Sequence, residues 1–200
     1  MYRRYFKRII DICIGLLSFP FVVLEIMILG PVIYLTDKGH IFYIADRIGK
    51  NGKIFKMYKL RSMKVNAPDI RNADGSTFNG DDDPRVTRIG RIIRKTSLDE
   101  LPQIINVILG DMSLIGPRPN LPSPYENLSL LEKKRLVVRP GITGYNQAYY
   151  RNSVDAKEKF VNDVYYVDNL SFKLDCKIFI ATIYSVLKRK NINNSFPQSK

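Results

Sequence analysis

The most apolar stretch of the chain, IIDICIGLLSFPFVVLEIMILGPVIYLT at residues 9–36, is divided by charge into two pieces. Uncharged residues run from Ile12 to Leu24 and again from Ile26 to Thr36, with Glu25 between them. At 1.5 Å per residue the first piece reaches only about 20 Å, short of the roughly 30 Å hydrocarbon core of a bilayer. A straight span would bury Glu25 at about 2.5–3.5 kcal/mol. Pro20 sits inside the first piece, where it removes a helical hydrogen bond and bends the axis. Basic residues flank both ends: Arg3, Arg4, Lys7 and Arg8 before, and Lys38, Arg47, Lys50, Lys53, Lys56, Lys59, Arg61 and Lys64 after. Positive flanks favour the cytoplasmic side, so both ends should stay there. A re-entrant helix that enters, kinks at Pro20 and returns meets these constraints. A single span and a core helix of a soluble protein are the alternatives. A secretory signal peptide fits poorly, because the run is long and no small-residue cleavage site closes it.

Beyond this segment the pattern shortens. Runs rich in Ile, Phe and Tyr at 41–47 and 53–61 flank Gly49-Lys50-Asn51-Gly52, which predicts a β-hairpin near 41–61. Its lysines read either as solvated edges that discourage strand pairing or as a basic ribbon near phosphates. Residues 66–84 form a polar loop carrying Asp69, Asp74, Asp81, Asp82 and Asp83, without the spacing of an EF-hand. In the next segment Arg85, Arg88, Arg91 and Arg94 recur every third residue while Ile89, Ile92 and Ile93 take the other side. On a helix this is a solvated face or a stripe for anionic groups. Helical patterns return near 155–168 and 172–189, and the tail from 191 is polar. The fold class is therefore α+β and mainly helical. Its expected parts are a re-entrant membrane helix (1–38), a cytoplasmic, membrane-associated catalytic domain (39–190) and a polar tail (191–200).

Composition narrows the chemistry. Of 200 residues, 32 are Lys or Arg and 19 are Asp or Glu, a net charge of +13 that favours an anionic partner. Two cysteines, Cys13 and Cys176, exclude a disulfide framework, and one histidine, His40, excludes a multi-histidine metal cluster.

The adjacent acids in Ser97-Leu98-Asp99-Glu100-Leu101-Pro102 draw the most interest. One reading is a capping box, with Ser97 capping a helix whose third residue is Glu100 and Asp99 complementing the helix dipole. The other is chemical. Neighbouring carboxylates point to different sides of a helix, and Pro102 spoils the first turn. An Asp beside an Arg-rich segment could attack phosphorus, with Mg²⁺ neutralising charge. Arg118, between Pro117 and Pro119, and Arg139, before Pro140, are stiffly mounted guanidiniums suited to phosphate.

Together DPRVTRIGRIIRKTSLDELPQIINVILGDMSLIGPRP, VRPGITGYNQ and DVYYVDNLSFKLDCKI resemble the bacterial sugar transferases of the small monotopic phosphoglycosyl transferase type. The similarity runs from the basic N-terminus to about residue 190. It implies an enzyme of the bacterial inner membrane with its catalytic domain on the cytoplasmic face, among phospholipids. The implied reaction moves a sugar 1-phosphate from a UDP-sugar to polyprenol phosphate and releases UMP. That is the first membrane step of O-antigen, capsule, exopolysaccharide or glycoprotein assembly. In this family an Asp–Glu dyad, matched by Asp99 and Glu100, forms a covalent phosphosugar intermediate and works with Mg²⁺. Arg94, Arg118, Arg139 and Gln147 match substrate-binding positions, and Asp163 and Asp175 match acidic positions of the C-terminal segments. The family's fold adds a re-entrant helix broken at Pro, membrane-parallel amphipathic helices and a β-hairpin.

The chain departs from the pattern in two places. Many members break the helix at Ser-Pro, where this chain has Ser18-Phe19-Pro20. After Gly144 it reads Tyr-Asn-Gln-Ala-Tyr-Tyr-Arg where many members have Trp-Ala-Gln-Val-Asn-Gly-Arg, so Tyr145, Asn146 and Tyr149 bear on sugar choice. The sequence lacks the extra N-terminal spans of larger members and reads as a bare catalytic unit; homo-oligomerisation is left open. A membrane-tethered nucleic-acid binder is the first alternative, but no RNA or DNA module supports it, so nucleic acid is not an expected partner. A non-catalytic scaffold, in which the dyad is only a cap, is the second.

Overall fold

The apolar N-terminus folds as one long helix. The computed structural model describes residues 1–70, 78, 83–150 and 154–187. Helix α1 (Lys7–Asp37) follows a π-helical turn at Tyr2–Phe6 and ends where Lys38 turns left-handed, at φ 54°. It continues through Pro20 and Pro31. Each ring removes the N–H that would bond the carbonyl one turn earlier. The buried residues Asp11, Gly15, Val22, Glu25, Gly30 and Ile33 fall near the helical period and form one stripe. The other sides expose Leu17, Phe21, Met27 and Leu35. The segment Tyr2–Asp37 is long and apolar enough to cross a membrane, and only 17% of its most apolar window is buried. That exposure fits a membrane helix better than a covered core helix.

The rest of the protein grips the buried stripe from end to end. Near its start, Arg8 donates to the carbonyls of Val107 (2.6 Å) and Ile108 (3.0 Å), and Asp11 accepts from the Leu114 N–H (3.1 Å). The Asp175 carboxylate accepts from the Tyr2 hydroxyl (2.6 Å), Lys7 Nζ (2.7 Å) and the Tyr166 hydroxyl (2.8 Å). Near the helix end Ile33 packs with Leu60 and Ile93, and Asp37 takes a two-pronged bond from Arg61 (2.6 and 2.8 Å). One folded body thus holds both ends of α1.

The expected hairpin is present. Strands β1 (Phe42–Ile48) and β2 (Ile54–Leu60) pair antiparallel, Phe42 opposite Leu60 and Ile48 opposite Ile54. The connecting turn needs positive φ at Asn51 (56°) and Gly52 (80°), as an Asn-Gly turn supplies. Among the described residues six α-helices follow α1: α2 (Arg88–Thr96), α3 (Gln103–Leu109), α4 (Leu130–Arg135), α5 (Tyr145–Tyr149), α6 (Ala156–Asp168) and α7 (Phe172–Leu187). A second, parallel pair joins β3 (Ser113–Ile115) to β4 (Gly141–Thr143). The two chains approach so closely that a Cβ on Gly116 or Gly141 would strike the facing backbone. This pair sets the Gly-Pro-Arg-Pro loop beside the Arg-Pro-Gly loop. Apolar clusters lie under each region: Phe55, Met57, Val107 and Met112 below the hairpin, and Ile115, Val138, Tyr166, Val167 and Ile178 below the C-terminal helices. Most of the polar loop at 66–84 and the tail from 191 lie outside the described residues.

Asp175 ties the chain start to α6 and α7, so its loss should loosen the whole assembly. Asp175→Ala leaves the Lys7 ammonium and the Tyr2 hydroxyl without their acceptor. The thermal unfolding midpoint of the detergent-solubilised variant is expected to fall by several degrees; an unchanged midpoint would show that this knot is dispensable.

Candidate active site

The acidic pair lies in a tight corner between two helices. Thr87 caps the start of α2 by accepting from the Gly90 N–H. At its other end Ser97 adopts a left-handed conformation (φ 59°, ψ 19°), which reverses the chain. The next residues, Leu98–Glu100, form one 3-10 turn, and Pro102 then opens α3. Ser97 makes no side-chain cap. The capping-box expectation therefore fails: Ser97 ends one helix instead of starting another. Positive φ at a residue other than glycine carries strain, and here it sits next to the acids.

Glu100 faces inward to two cations. Its Oε1 accepts from Lys59 Nζ (2.7 Å) and from Arg118 (2.8 Å). Burial pushes the Glu100 carboxyl up, but the charges and hydrogen bonds of Arg118 and Lys59 outweigh this and hold it well below the usual carboxylate range. Asp99 differs. Burial, and then the negative charge of Glu100, pushes it up to about 6 against the opposing charges of Lys59, Arg94 and Arg118. Among the described residues Asp99 has no hydrogen-bond partner. Two neighbouring acids thus have distinct characters, one a fixed anion and the other an unattached, poised carboxylate.

The guanidiniums are mounted separately. Arg94 is half-buried beside both acids and donates from Nε to the Ser62 hydroxyl (2.8 Å). Arg118 reaches Glu100 from the loop after β3, with about half its side chain open to solvent. Its carbonyl oxygen accepts from Arg135 (2.6 Å), which is itself buried against Asp163. Asn146 donates to the other Asp163 oxygen (2.9 Å) and to the Lys159 carbonyl (2.9 Å). Asp163 and Asn146 therefore hold the scaffold behind Arg118. Asp175 has the separate role described above.

The expected arginine stripe is divided. Arg85 is buried outside α2 in a close pair with Asp83, whereas Arg88 and Arg91 are exposed on the helix. Only Arg94 turns to the acids.

Two further candidates lie away from the dyad. Arg139 donates from Nε to the Gly110 carbonyl (2.7 Å), at the opposite end of α3. There, with Gly49, Lys50, Lys53, Phe55 and Asp111, it lines an open cavity of about 200 Å³. Gln147 lies by Gly144, which packs against Gly116; among the described residues neither polar atom of its buried amide finds a partner. Ser18 is half-buried and Pro20 exposed on α1.

Lys59 and Ser62 were not singled out by the sequence reading. A signal for Lys59 existed: it shares strand parity with the buried Phe55 and Met57, so a lysine stands in an inward-facing row. Asn106 reinforces that register, donating to the Lys56 carbonyl (2.7 Å) and accepting from the Tyr58 N–H (3.0 Å).

The donor set suits a sparsely held divalent cation. Among the described residues no three acidic, His or Cys side chains form a metal-ligating group. Mg²⁺ commonly takes one or two carboxylates and completes its shell with water and substrate phosphates. Asp99 and the second oxygen of Glu100, since both cations bond Oε1, fit that requirement.

A sequence comparison sets this dyad, on a mainly helical body with an apolar N-terminal helix, in a family. The Bacterial sugar transferase family model matches residues 2–189, and the chain belongs to that family. It is 40% identical to the galactosyl transferase CpsE of Streptococcus agalactiae, over 90% of this chain and 42% of that protein. It is 38% identical to the uncharacterized sugar transferase EpsL of Bacillus subtilis, over 94% and 91% respectively. It is 37% identical to the undecaprenyl-phosphate galactose phosphotransferase of Salmonella typhimurium, over 93% and 41%. The chain thus spans under half the length of CpsE and the Salmonella protein, and nearly all of EpsL.

The raised pKa of Asp99 makes its ionisation costly to the fold. Stability is expected to fall as pH rises from about 4 to about 6, and to show no further loss from this group above that. In chelator, Asp99→Asn should exceed the wild type in stability at about pH 7.5 by on the order of 1–3 kcal/mol. The gap should close below about pH 4, as read from unfolding midpoints across pH. A gap of equal size at both pH values would disconnect it from ionisation.

Proposed function

We propose that this chain transfers a sugar 1-phosphate from a UDP-sugar to polyprenol phosphate, undecaprenyl phosphate in bacteria, and releases UMP. The observation that carries the reading is the unequal dyad: an unattached Asp99 beside a Glu100 pinned by Lys59 and Arg118. Similar proteins support the substrate class. One of them, from Aeromonas hydrophila, is a UDP-N-acetylgalactosamine-undecaprenyl-phosphate N-acetylgalactosaminephosphotransferase.

In this mechanism an Asp99 carboxylate oxygen attacks the sugar-bearing phosphorus of the donor. The bond from that phosphorus to the oxygen of UMP breaks, and UMP leaves with the electron pair. An oxygen of polyprenol phosphate then attacks the same phosphorus. The bond to Asp99 breaks, which restores the carboxylate and yields a polyprenol diphosphate sugar. Arg94 and Arg118 face the phosphoryl oxygens and offset their charge. Glu100 holds Arg118 and Lys59 in place. Mg²⁺, held by Asp99 and Glu100, would neutralise phosphate charge. Arg139, Lys50 and Lys53 line a basic cavity at the far end of α3 that suits the nucleotide end of the donor.

The membrane disposition follows from α1. Both its ends are basic, and both are held by the same folded body. A straight span would part those ends across the bilayer, so we place α1 as a re-entrant segment bent near Pro20, with the domain on the cytoplasmic face. The same arrangement lays the apolar outer face of α7, with Phe179, Ile180 and Ile183, against phospholipid.

The test is UMP release by the detergent-solubilised protein with Mg²⁺, across a panel of UDP-sugars, with and without undecaprenyl phosphate. Acceptor-dependent turnover is expected, with a single-turnover burst of UMP when acceptor is omitted. Asp99→Asn should abolish both while keeping the fold, and substantial residual turnover would remove Asp99 from its role. Arg118→Met should lower kcat/KM by about 10- to 100-fold, the scale of one lost charge-assisted phosphate contact.

A further inference from the structure

Among the described residues of α1, Glu25 is the ionisable group buried without a hydrogen-bond partner. It is 9% exposed, and both its carboxyl oxygens are enclosed and unpaired. Asp11, also buried on this helix, accepts from a backbone N–H, and Asp37 is paired with Arg61. Glu25 occupies the stripe that faces the body, between Val22 and Gly30. One residue on, Ile26 and then Leu29 pack on the cluster that includes Leu98, the residue preceding Asp99. The Glu25 and Asp99 carboxyls are near enough to interact electrostatically. An enclosed acid on an apolar helix thus lies within electrostatic range of the proposed nucleophile.

A buried polar group without a partner is unfavourable, and a ligand that supplies the missing partner relieves it. The reactants differ in what they offer. Phosphate oxygens bring acceptors and negative charge, which an ionised carboxylate repels. A polyprenyl chain brings no donor. The acids at this corner do not gather into a metal-ligating trio among the described residues. The donors that remain are the ribose hydroxyls and the uracil N–H, which lie beyond the other phosphate, and the hydroxyls of the transferred sugar. Those of the transferred sugar are bonded close to the phosphorus that Asp99 attacks, and a carboxyl group accepts from them whether or not it carries a proton.

We infer that Glu25 accepts a hydrogen bond from a hydroxyl of the donor sugar and so determines which sugar is transferred. The inference rests on the sugar-phosphate transfer proposed above. Rejection of the wrong sugar would follow from the enclosure: a donor lacking the hydroxyl leaves Glu25 unpaired in the complex, which is how buried polar sites discriminate most strongly. The membrane helix would then be a wall of the sugar site as well as an anchor.

The test removes the two partners separately and together. The full-length solubilised protein is assayed for kcat and KM of UMP release with its best UDP-sugar and with the monodeoxy analogues of that sugar. Wild type, Glu25→Gln and Glu25→Leu are compared. For one analogue the wild type is expected to lose about 100-fold or more in kcat/KM. Glu25→Leu should lose a similar factor on the parent sugar and under about threefold more on that analogue, the coupling expected of a direct contact. Glu25→Gln, which keeps an acceptor, should recover part of the preference. Equal loss by Glu25→Leu on the parent and every analogue would mark a structural role and overturn the inference, as would unchanged rates on all of them. If thermal unfolding shows the Leu variant misfolded, the near-isosteric Gln variant carries the comparison: a shifted ranking of analogues supports the contact and an unchanged ranking overturns it. A wild type that releases UMP from no UDP-sugar would overturn the transfer reaction itself. An active wild type with uniform effects at Glu25 would overturn only the sugar contact.

Discussion

Two cations meeting on one carboxylate oxygen organise this protein. Adjacent acids in a poorly solvated corner would otherwise both take up protons, because burial raises each and each raises the other. Lys59 and Arg118 break that symmetry by holding Glu100 as the anion, and its fixed charge then lifts Asp99. Each cation arrives by its own structural route. Lys59 comes on β2, whose register Asn106 fixes by bonding the strand on both sides of Met57. Arg118 comes on the loop that the β3–β4 pair starts, and Arg135 anchors its carbonyl from a buried pair with Asp163. Neither sheet is extensive. Their value lies in delivering two side chains from distant parts of the chain to one point.

That dependence explains which features were legible in the sequence. The hairpin was plain, because alternation and an Asn-Gly turn are local signals. The acids were found by their adjacency and by the proline that follows them. The capping box misled because Ser and Glu at the right spacing satisfy a pattern that also fits other backbones. With Ser97 left-handed, its hydroxyl no longer faces the N–H groups of the following turn, and Glu100 instead finds Lys59 some forty positions upstream. The three-residue arginine repeat failed for a related reason. It presumes a helix from Arg85 onward, but α2 begins at Arg88, and a buried Asp83 claims Arg85 first. Tertiary partners decided what periodicity alone left open. The β3–β4 pair was illegible because each strand has only three residues, too few for alternation to register.

Helix α1 shows two constraints acting on one element. Its outer face is apolar, and its inner stripe reads Asp11, Gly15, Val22, Glu25, Gly30, Ile33, with small residues where α3 and the hairpin approach. Averaging around the helix hides this stripe, since apolar residues occupy both faces. Polar atoms at its start and end carry the information instead, because each has a specific partner in the body. Arg8 binds the last carbonyls of α3, where a cation also complements the helix dipole. The same short helix begins just beyond the dyad. A displacement of α1 at Arg8 would therefore be felt at Asp99 through a single rigid element of seven residues.

This coupling changes what the membrane segment is. An anchor need only be apolar and long, and it could be exchanged for another helix without consequence to the chemistry. Here the segment packs through Ile26 and Leu29 on the cluster that Leu98 joins, supports α3 at Arg8, and closes the hairpin base at Asp37. In the proposed membrane setting its outer face would be covered by lipid, and the largely buried Lys59 and the half-buried Arg94 act on the acids with reduced screening. Burial and charge then set the two acids apart, so the apolar helix, packed through Ile26 and Leu29 beside Leu98, supplies part of the low-dielectric environment on which the unequal dyad relies.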